Sequence, residues 1–121
     1  MDNEIKTWLY DILQSINEID SYFDNKPRIF GEYLTDIKTK RAIERDLEII
    51  GEAVNRILRK DKNFKLNNAE KIIGTRNRII HGYDNISDDL IWSIVINNLP
   101  KLKDEVTGLL NDKPFNKDLL L

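Results

Sequence analysis

Ile5, Leu9, Ile12, Ile16, Ile19 and Phe23 follow one another at steps that alternate between four and three residues. Ile43, Leu47, Ile50, Val54 and Ile57 repeat the pattern. Such spacing puts apolar side chains on one stripe of an α-helix, close to the 3.5-residue repeat of packed bundles. A stripe of this kind is not stable alone in water and needs another to bury it. No segment alternates apolar and polar residues with the period of two that a half-buried strand shows. The chain therefore reads as all-α, and the punctuation between stripes divides it further.

The first helix ends near Asp24-Asn25-Lys26-Pro27, because proline cannot continue a helix. Arg28 to Leu34, with Ile29, Phe30 and Tyr33, reads as a connector. Thr35 is a competent N-cap for the second helix, with Asp36 in its first turn. Gly51 lies inside that helix, where glycine costs about 1 kcal/mol relative to alanine. The simplest compensation is close approach of another helix backbone. A shorter third helix opens near Asn67 or Asn68, carries Ala69, Ile72, Ile73, Ile79 and Ile80, and stops around His81-Gly82. Ser87, followed by Asp88 and Asp89, caps a fourth. Its apolar positions Trp92, Val95, Leu99, Leu102, Val106 and Leu109 keep phase across Pro100, which predicts one helix kinked at that proline. The expected architecture is a four-helix antiparallel bundle packed at roughly 20°. It occupies residues 1–111, followed by a loose C-terminal tail over 112–121.

At 121 residues the chain is one domain. It has no cysteine, which excludes a disulfide scaffold, a thiol nucleophile and thiolate zinc sites, and its single histidine allows no His pair for a metal. A carboxylate magnesium site stays possible, but nothing announces one, so no cofactor is expected. No apolar run is long enough to cross a membrane, and the acidic start Met1-Asp2-Asn3-Glu4 is unlike a signal peptide, which makes the cytoplasm the expected compartment. The net charge of −2 argues against simple nucleic-acid binding, but the charge is unevenly placed. Between Val54 and His81 eight basic residues face two acidic ones, which leaves that segment at +6 and the remainder at −8. Such a zone serves either as a phosphate-binding patch on an acidic protein or as a solvated inter-helix loop.

Within this zone, Gly74 to Asp84 gathers the lone histidine with Arg76, Asn77, Arg78 and Tyr83. Arginine binds phosphate bidentately and stays charged, while histidine transfers protons near neutral pH. Together they suffice for phosphodiester cleavage without a metal: His81 would take a ribose 2′-hydroxyl proton and Arg76 would hold the phosphate. Geometry tempers this, since Arg76 and His81 lie about 140° apart around an ideal helix. Asn77 and His81, at a spacing of four, share a face. The bland reading is a C-terminal helix histidine favoured by the dipole, flanked by surface arginines. Glu48 and Glu52, also four apart, read as a solvated or interfacial ion-pair set rather than a catalytic acid pair. Trp8 and Trp92 read as core or dimer-interface anchors.

Arg76-Asn77-Arg78-Ile79-Ile80-His81-Gly82-Tyr83 resembles the arginine, four residues, histidine, any residue, tyrosine motif of HepT-type HEPN proteins, the toxins of HepT/MntA toxin–antitoxin pairs. Arg41 to Arg45 followed by Leu47 to Ala53 is similar to that family's second helix, and Ile91-Trp92 with Asn98-Leu99-Pro100-Lys101-Leu102 to its fourth. The likeness spans roughly residues 5–110. Only Lys62 to Asn68 departs, where many relatives have a proline-containing loop. The resemblance implies a HEPN-like helical homodimer in which the motifs of two chains face one cleft. It implies metal-independent endoribonuclease activity on RNA, with Arg76 and His81 catalytic and Asn77 a polar helper; Asn77 and Arg78 are the expected substrate-binding residues. It also implies a partner, an MntA-like nucleotidyltransferase antitoxin that transfers AMP to Tyr83. The alternative is a non-catalytic helical dimer that binds a nucleotidyltransferase or a nucleotide. The dimer has independent chemical appeal, since it would supply one histidine as proton acceptor and a second as donor.

Overall fold

The structure, a computed structural model, describes residues 1–80 and 87–111. His81, Gly82, Tyr83, Asp84 and the tail from 112 to 121 lie outside the described residues. Helix α1 covers Asn3–Phe23, α2 Phe30–Thr35, α3 Ile37–Lys60 and α4 Glu70–Ile80. Helix α5 (Asp88–Ser93), a π turn (Ile94–Asn98) and α6 (Leu99–Asn111) then run on without a break. The chain is therefore all-helical among the described residues, as the apolar stripes require.

The termini are set by local chemistry. The Asp2 carboxylate accepts hydrogen bonds from the backbone N–H groups of Glu4 (2.8 Å) and Ile5 (3.1 Å), capping α1. At the other end Asp24 and Asn25 take left-handed conformations, with φ of 48° and 63°, which these two residue types tolerate better than most. The N-cap of α3 is Asp36, not Thr35: its carboxylate accepts from the Thr39 N–H at 3.1 Å. Thr35 instead closes α2, a helix over part of what the sequence suggested was connector. Packing creates α2, because its Phe30 and Tyr33 rings lie 5.8 and 5.0 Å from the Trp92 ring of α5. Phe23 meets the same indole edge-on at 5.9 Å, so Trp92 anchors an aromatic cluster within this chain.

Both leading stripes are buried, with only Phe23 left partly accessible. Each fully buried Leu or Ile contributes on the order of 2 kcal/mol of transfer free energy. Helix α3 packs against α1 on one side and α4 on the other, while α6 packs on α1. Lys60, at the end of α3, pairs with Asp2 (3.3 Å) and with Glu4 at the start of α1, so these two helices run antiparallel. Asp46 of α3 is an acid in this core, 1% exposed, and accepts a 2.6 Å hydrogen bond from the Tyr22 hydroxyl. Burial, reinforced by the neighbouring Glu18 carboxyl, pushes Asp46 up to about 6 despite that hydrogen bond.

Two other expectations are corrected. The third helix does not open at Asn67 or Asn68. Their backbone N–H groups donate to the Glu105 carboxylate of α6 at 2.8 and 3.3 Å, and the helix begins after Ala69. In the last helix the irregularity lies just before Pro100 as a π turn, in which the Leu99 N–H reaches the Ile94 carbonyl. Proline has no N–H, and its ring crowds the carbonyl four residues back; a wider turn relieves this. The turn also keeps Ile91, Val95 and Leu99 on the buried face at steps of four, which in a regular helix drift about 40° each. Beyond it Leu110, not Leu109, is the buried residue. No helix of the described residues is long and apolar enough to cross a membrane.

Candidate active site

Arg76 sits midway along α4, on the side that packs against α3. Its stem crosses α3 directly over Gly51. A Cβ placed at position 51 would lie 2.5 Å from Arg76 Cβ, 2.8 Å from Cγ and 3.0 Å from Cδ. Real carbon contacts are about 3.5–4.0 Å, so only glycine leaves room for the arginine. The close approach expected at Gly51 thus exists, but a side chain makes it rather than a helix backbone.

The next residue receives the head group. Glu52 Oε2 accepts a hydrogen bond from Arg76 Nη2, while Glu52 Oε1 accepts from Arg56 Nε and Arg59 Nη2, each at 3.2 Å. Glu52 therefore joins an ion-pair set, as its helical spacing suggested. Burial alone would raise its pKa, but the Arg56, Arg76 and Arg59 guanidiniums more than offset that and hold it below the usual carboxylate range. Glu48, one turn earlier, is 3.7 Å from Arg45 and belongs to a separate pair.

Arg76 keeps only 20% of its side chain exposed, against 55% for Arg56 and 70% for Arg59. Arg76 Nη1 donates to the Asn77 side-chain oxygen at 3.1 Å. Its Nε is buried without a hydrogen-bond partner among the described residues. The structure therefore brings Arg76 and Asn77 together. It does not bring Arg78 to them. That residue is exposed, about 200° further round the helix, and has no ion-pair partner among the described residues. His81 follows Ile80, the last residue of α4, in sequence; it and Tyr83 lie outside the described residues.

Beside Arg76 opens a groove of about 310 Å³ floored by Trp8, Ile49 and Ala53. Its polar rim includes Asp11, Arg45, Glu48, Glu52 and Arg56. Trp8 is half-buried there, so the two tryptophans serve different places. Among the described residues no three carboxylate or imidazole side chains converge as a metal ion would require. Chemically, the site presents one fixed guanidinium with N–H groups that have no partner among the described residues, at the C-terminal half of a helix that the only histidine follows in sequence.

The link from Arg76 to Gly51 and Glu52 was not readable from spacing. Gly51 and Glu52 were each singled out, but nothing local ties either to a residue some 25 positions away.

"Putative RNase MJ1380" of Methanocaldococcus jannaschii is 37% identical over 105 residues, 85% of this chain and 94% of that protein. "Putative RNase MJ0127" of the same organism is 32% identical over 113 residues, covering 90% of this chain and 89% of that protein. "Probable ribonuclease HepT" of Thermococcus cleftensis is 32% identical over 107 residues, 85% of this chain and 93% of that protein. No solved structure matches significantly. The model of a family described as HepT-like, "Ribonuclease HepT-like", matches residues 12–109, from the middle of α1 to near the end of α6 and across Gly51, Glu52 and Arg76, and the chain belongs to that family.

Proposed function

We propose that this chain is a metal-independent endoribonuclease, the toxin of a toxin–antitoxin pair, acting through Arg76 and His81. The observation that carries the reading is the placement of Arg76. Its guanidinium is withdrawn from solvent and held at the α3–α4 contact, and keeps N–H groups that meet no partner among the described residues and could take an anion. Family membership makes RNA the substrate to test first.

In this reading His81 removes the proton from a ribose 2′-hydroxyl, and the 2′-oxygen attacks the adjacent phosphorus. A bond from phosphorus to the 2′-oxygen forms as the bond to the 5′-oxygen breaks. The leaving 5′-oxygen takes a proton from a donor, which in a twofold dimer is His81 of the second copy. Arg76 neutralises the charge that builds on the non-bridging oxygens, and Asn77 keeps its guanidinium in place. Arg78 binds the RNA backbone further along. Tyr83 is the acceptor of AMP from a cognate MntA-like nucleotidyltransferase, and the added bulk and negative charge keep RNA phosphate out. Its unperturbed pKa of about 10 leaves activation of the hydroxyl to that second enzyme.

The test is RNA cleavage in EDTA. Wild type cleaves; Arg76→Ala and His81→Ala do not, while both melt as folded proteins. Cleavage by either variant at the wild-type rate refutes the assignment. For the switch, Tyr83→Phe still cleaves but gains no AMP mass when incubated with the nucleotidyltransferase, ATP and magnesium. A mass gain on the Phe variant places the acceptor elsewhere.

A further inference from the structure

The Arg76 head group is constrained more tightly than a surface ion pair would be. Gly51 and Glu52 are consecutive in α3, and one admits the stem while the other takes the head. Glu52 cannot turn away freely, because Arg56 and Arg59 both occupy its Oε1 and leave Oε2 to Arg76. Asn77 holds the opposite terminal nitrogen. Arg76 Nε is buried, which closes the Nε edge of the fork to any ligand. A guanidinium carries five N–H groups in one plane. After Glu52 and Asn77 each take one, a single N–H remains on Nη1 and another on Nη2 without a partner among the described residues.

We propose that Glu52 is the positioning residue for cleavage: it fixes the Arg76 guanidinium so that RNA phosphate is met end-on by the remaining N–H groups of Nη1 and Nη2. This rests on the reading of Arg76 as the phosphate-binding group. Glu52 also sets the local charge. Three guanidiniums surround one carboxylate, so the cluster keeps a net positive charge for the phosphate while Arg76 stays oriented. Neutralising Glu52 therefore has two opposed effects. RNA is attracted at least as strongly, but the guanidinium that must meet the transition state is no longer held.

That opposition provides a test that a structural role would not mimic. Single-turnover cleavage in EDTA is measured for wild type, Glu52→Gln, Glu52→Asp and Glu70→Gln, each shown to be folded by thermal melting. The single-turnover rate constant does not depend on the fraction of enzyme that is folded. In Glu52→Gln it falls by about tenfold or more, while the half-saturating enzyme concentration stays equal or drops. Glu70→Gln removes an exposed negative charge from α4 itself without touching Arg76 and keeps a rate within about twofold of wild type. A Glu52→Gln rate within about twofold of wild type overturns the proposal. If Glu52→Gln does not fold, Glu52→Asp decides. It keeps the charge on an arm one methylene shorter, and a wild-type rate there overturns the proposal equally. Arg76→Ala separates the layers: if it is inactive while Glu52→Gln is normal, only the positioning role fails; if it cleaves normally, the assignment of Arg76 fails as well.

Discussion

Alanine at position 51 probes the core of this site with one methyl group. In a helix interior, Gly→Ala is favourable by about 1 kcal/mol, because alanine loses less backbone entropy and helix propensity rises. At Gly74 and Gly108 a new Cβ meets nothing within 4 Å, so that gain should appear in full. At Gly51 the new Cβ falls 2.5 Å from Arg76 Cβ, at the root of the side chain, where rotation about χ angles cannot relieve the clash. Either α4 moves away from α3 by about 1 Å or more, or the backbone of one helix distorts. Overpacking of this kind costs about 1–3 kcal/mol. Gly51→Ala is therefore expected between neutral and about 2 kcal/mol destabilising. Comparing the three sites cancels the propensity term, so Gly51→Ala should fall about 1–3 kcal/mol below Gly108→Ala in urea denaturation. The displaced Arg76 should also cut RNA cleavage well beyond any loss of folded protein. If Gly51→Ala stabilises as much as Gly108→Ala and cleaves RNA normally, Arg76 does not lie over Gly51 and the description of the site is wrong.

Other consequences are simpler to state. Asp46 has a folded-state pKa of about 6, above its unfolded value of about 3.9, so its stabilising contribution is complete below the unfolded pKa and lost as pH rises through 6. Urea denaturation should show stability falling from this group between pH 4 and 7, and Asp46→Asn should flatten that slope. An unchanged slope in the variant would assign the titration to other groups. Trp92→Ala empties the centre of the Phe23–Phe30–Tyr33 cluster and should destabilise by about 3 kcal/mol or more, with α2 losing amide-exchange protection before the other helices. Glu105→Ala strips the acceptor from two backbone N–H groups and the Asn68 amide; it should cost about 1–2 kcal/mol by chemical denaturation, and Glu105→Gln less.

Much of the bundle was legible because an amphipathic helix is a local object. The stripes at Ile5 to Phe23 and Ile43 to Ile57 record which side of each helix must leave water, and burial follows them. Ser87 was readable as an N-cap for the same reason: its hydroxyl accepts from Leu90 N–H, only three residues on. Arg76 and Asn77 stand out in the sequence because they precede the only histidine by five and four residues in a chain without cysteine, and the structure places their two side chains in contact. Helix α2 was not legible, since six residues with few local signals become helical only when Trp92 offers a surface for Phe30 and Tyr33. Nor was the start of α4, because the amides of Asn67 and Asn68 just before it are claimed by Glu105 from 38 and 37 positions away.

The Gly51–Glu52–Arg76 arrangement marks the division most clearly. Sequence alone determined that one helix contains a glycine which needs a reason and an acid on a charged face, and that an arginine precedes the only histidine by five residues further along the chain. That these belong together depends on the rotation of α4 about its axis and its slide along α3. Those two quantities are settled by packing of the whole core, Ile50, Val54 and Ile72 included, and by no interaction between chain neighbours. A helix turned by one residue, about 100°, would keep every local signal intact and aim Arg76 away from both Gly51 and Glu52.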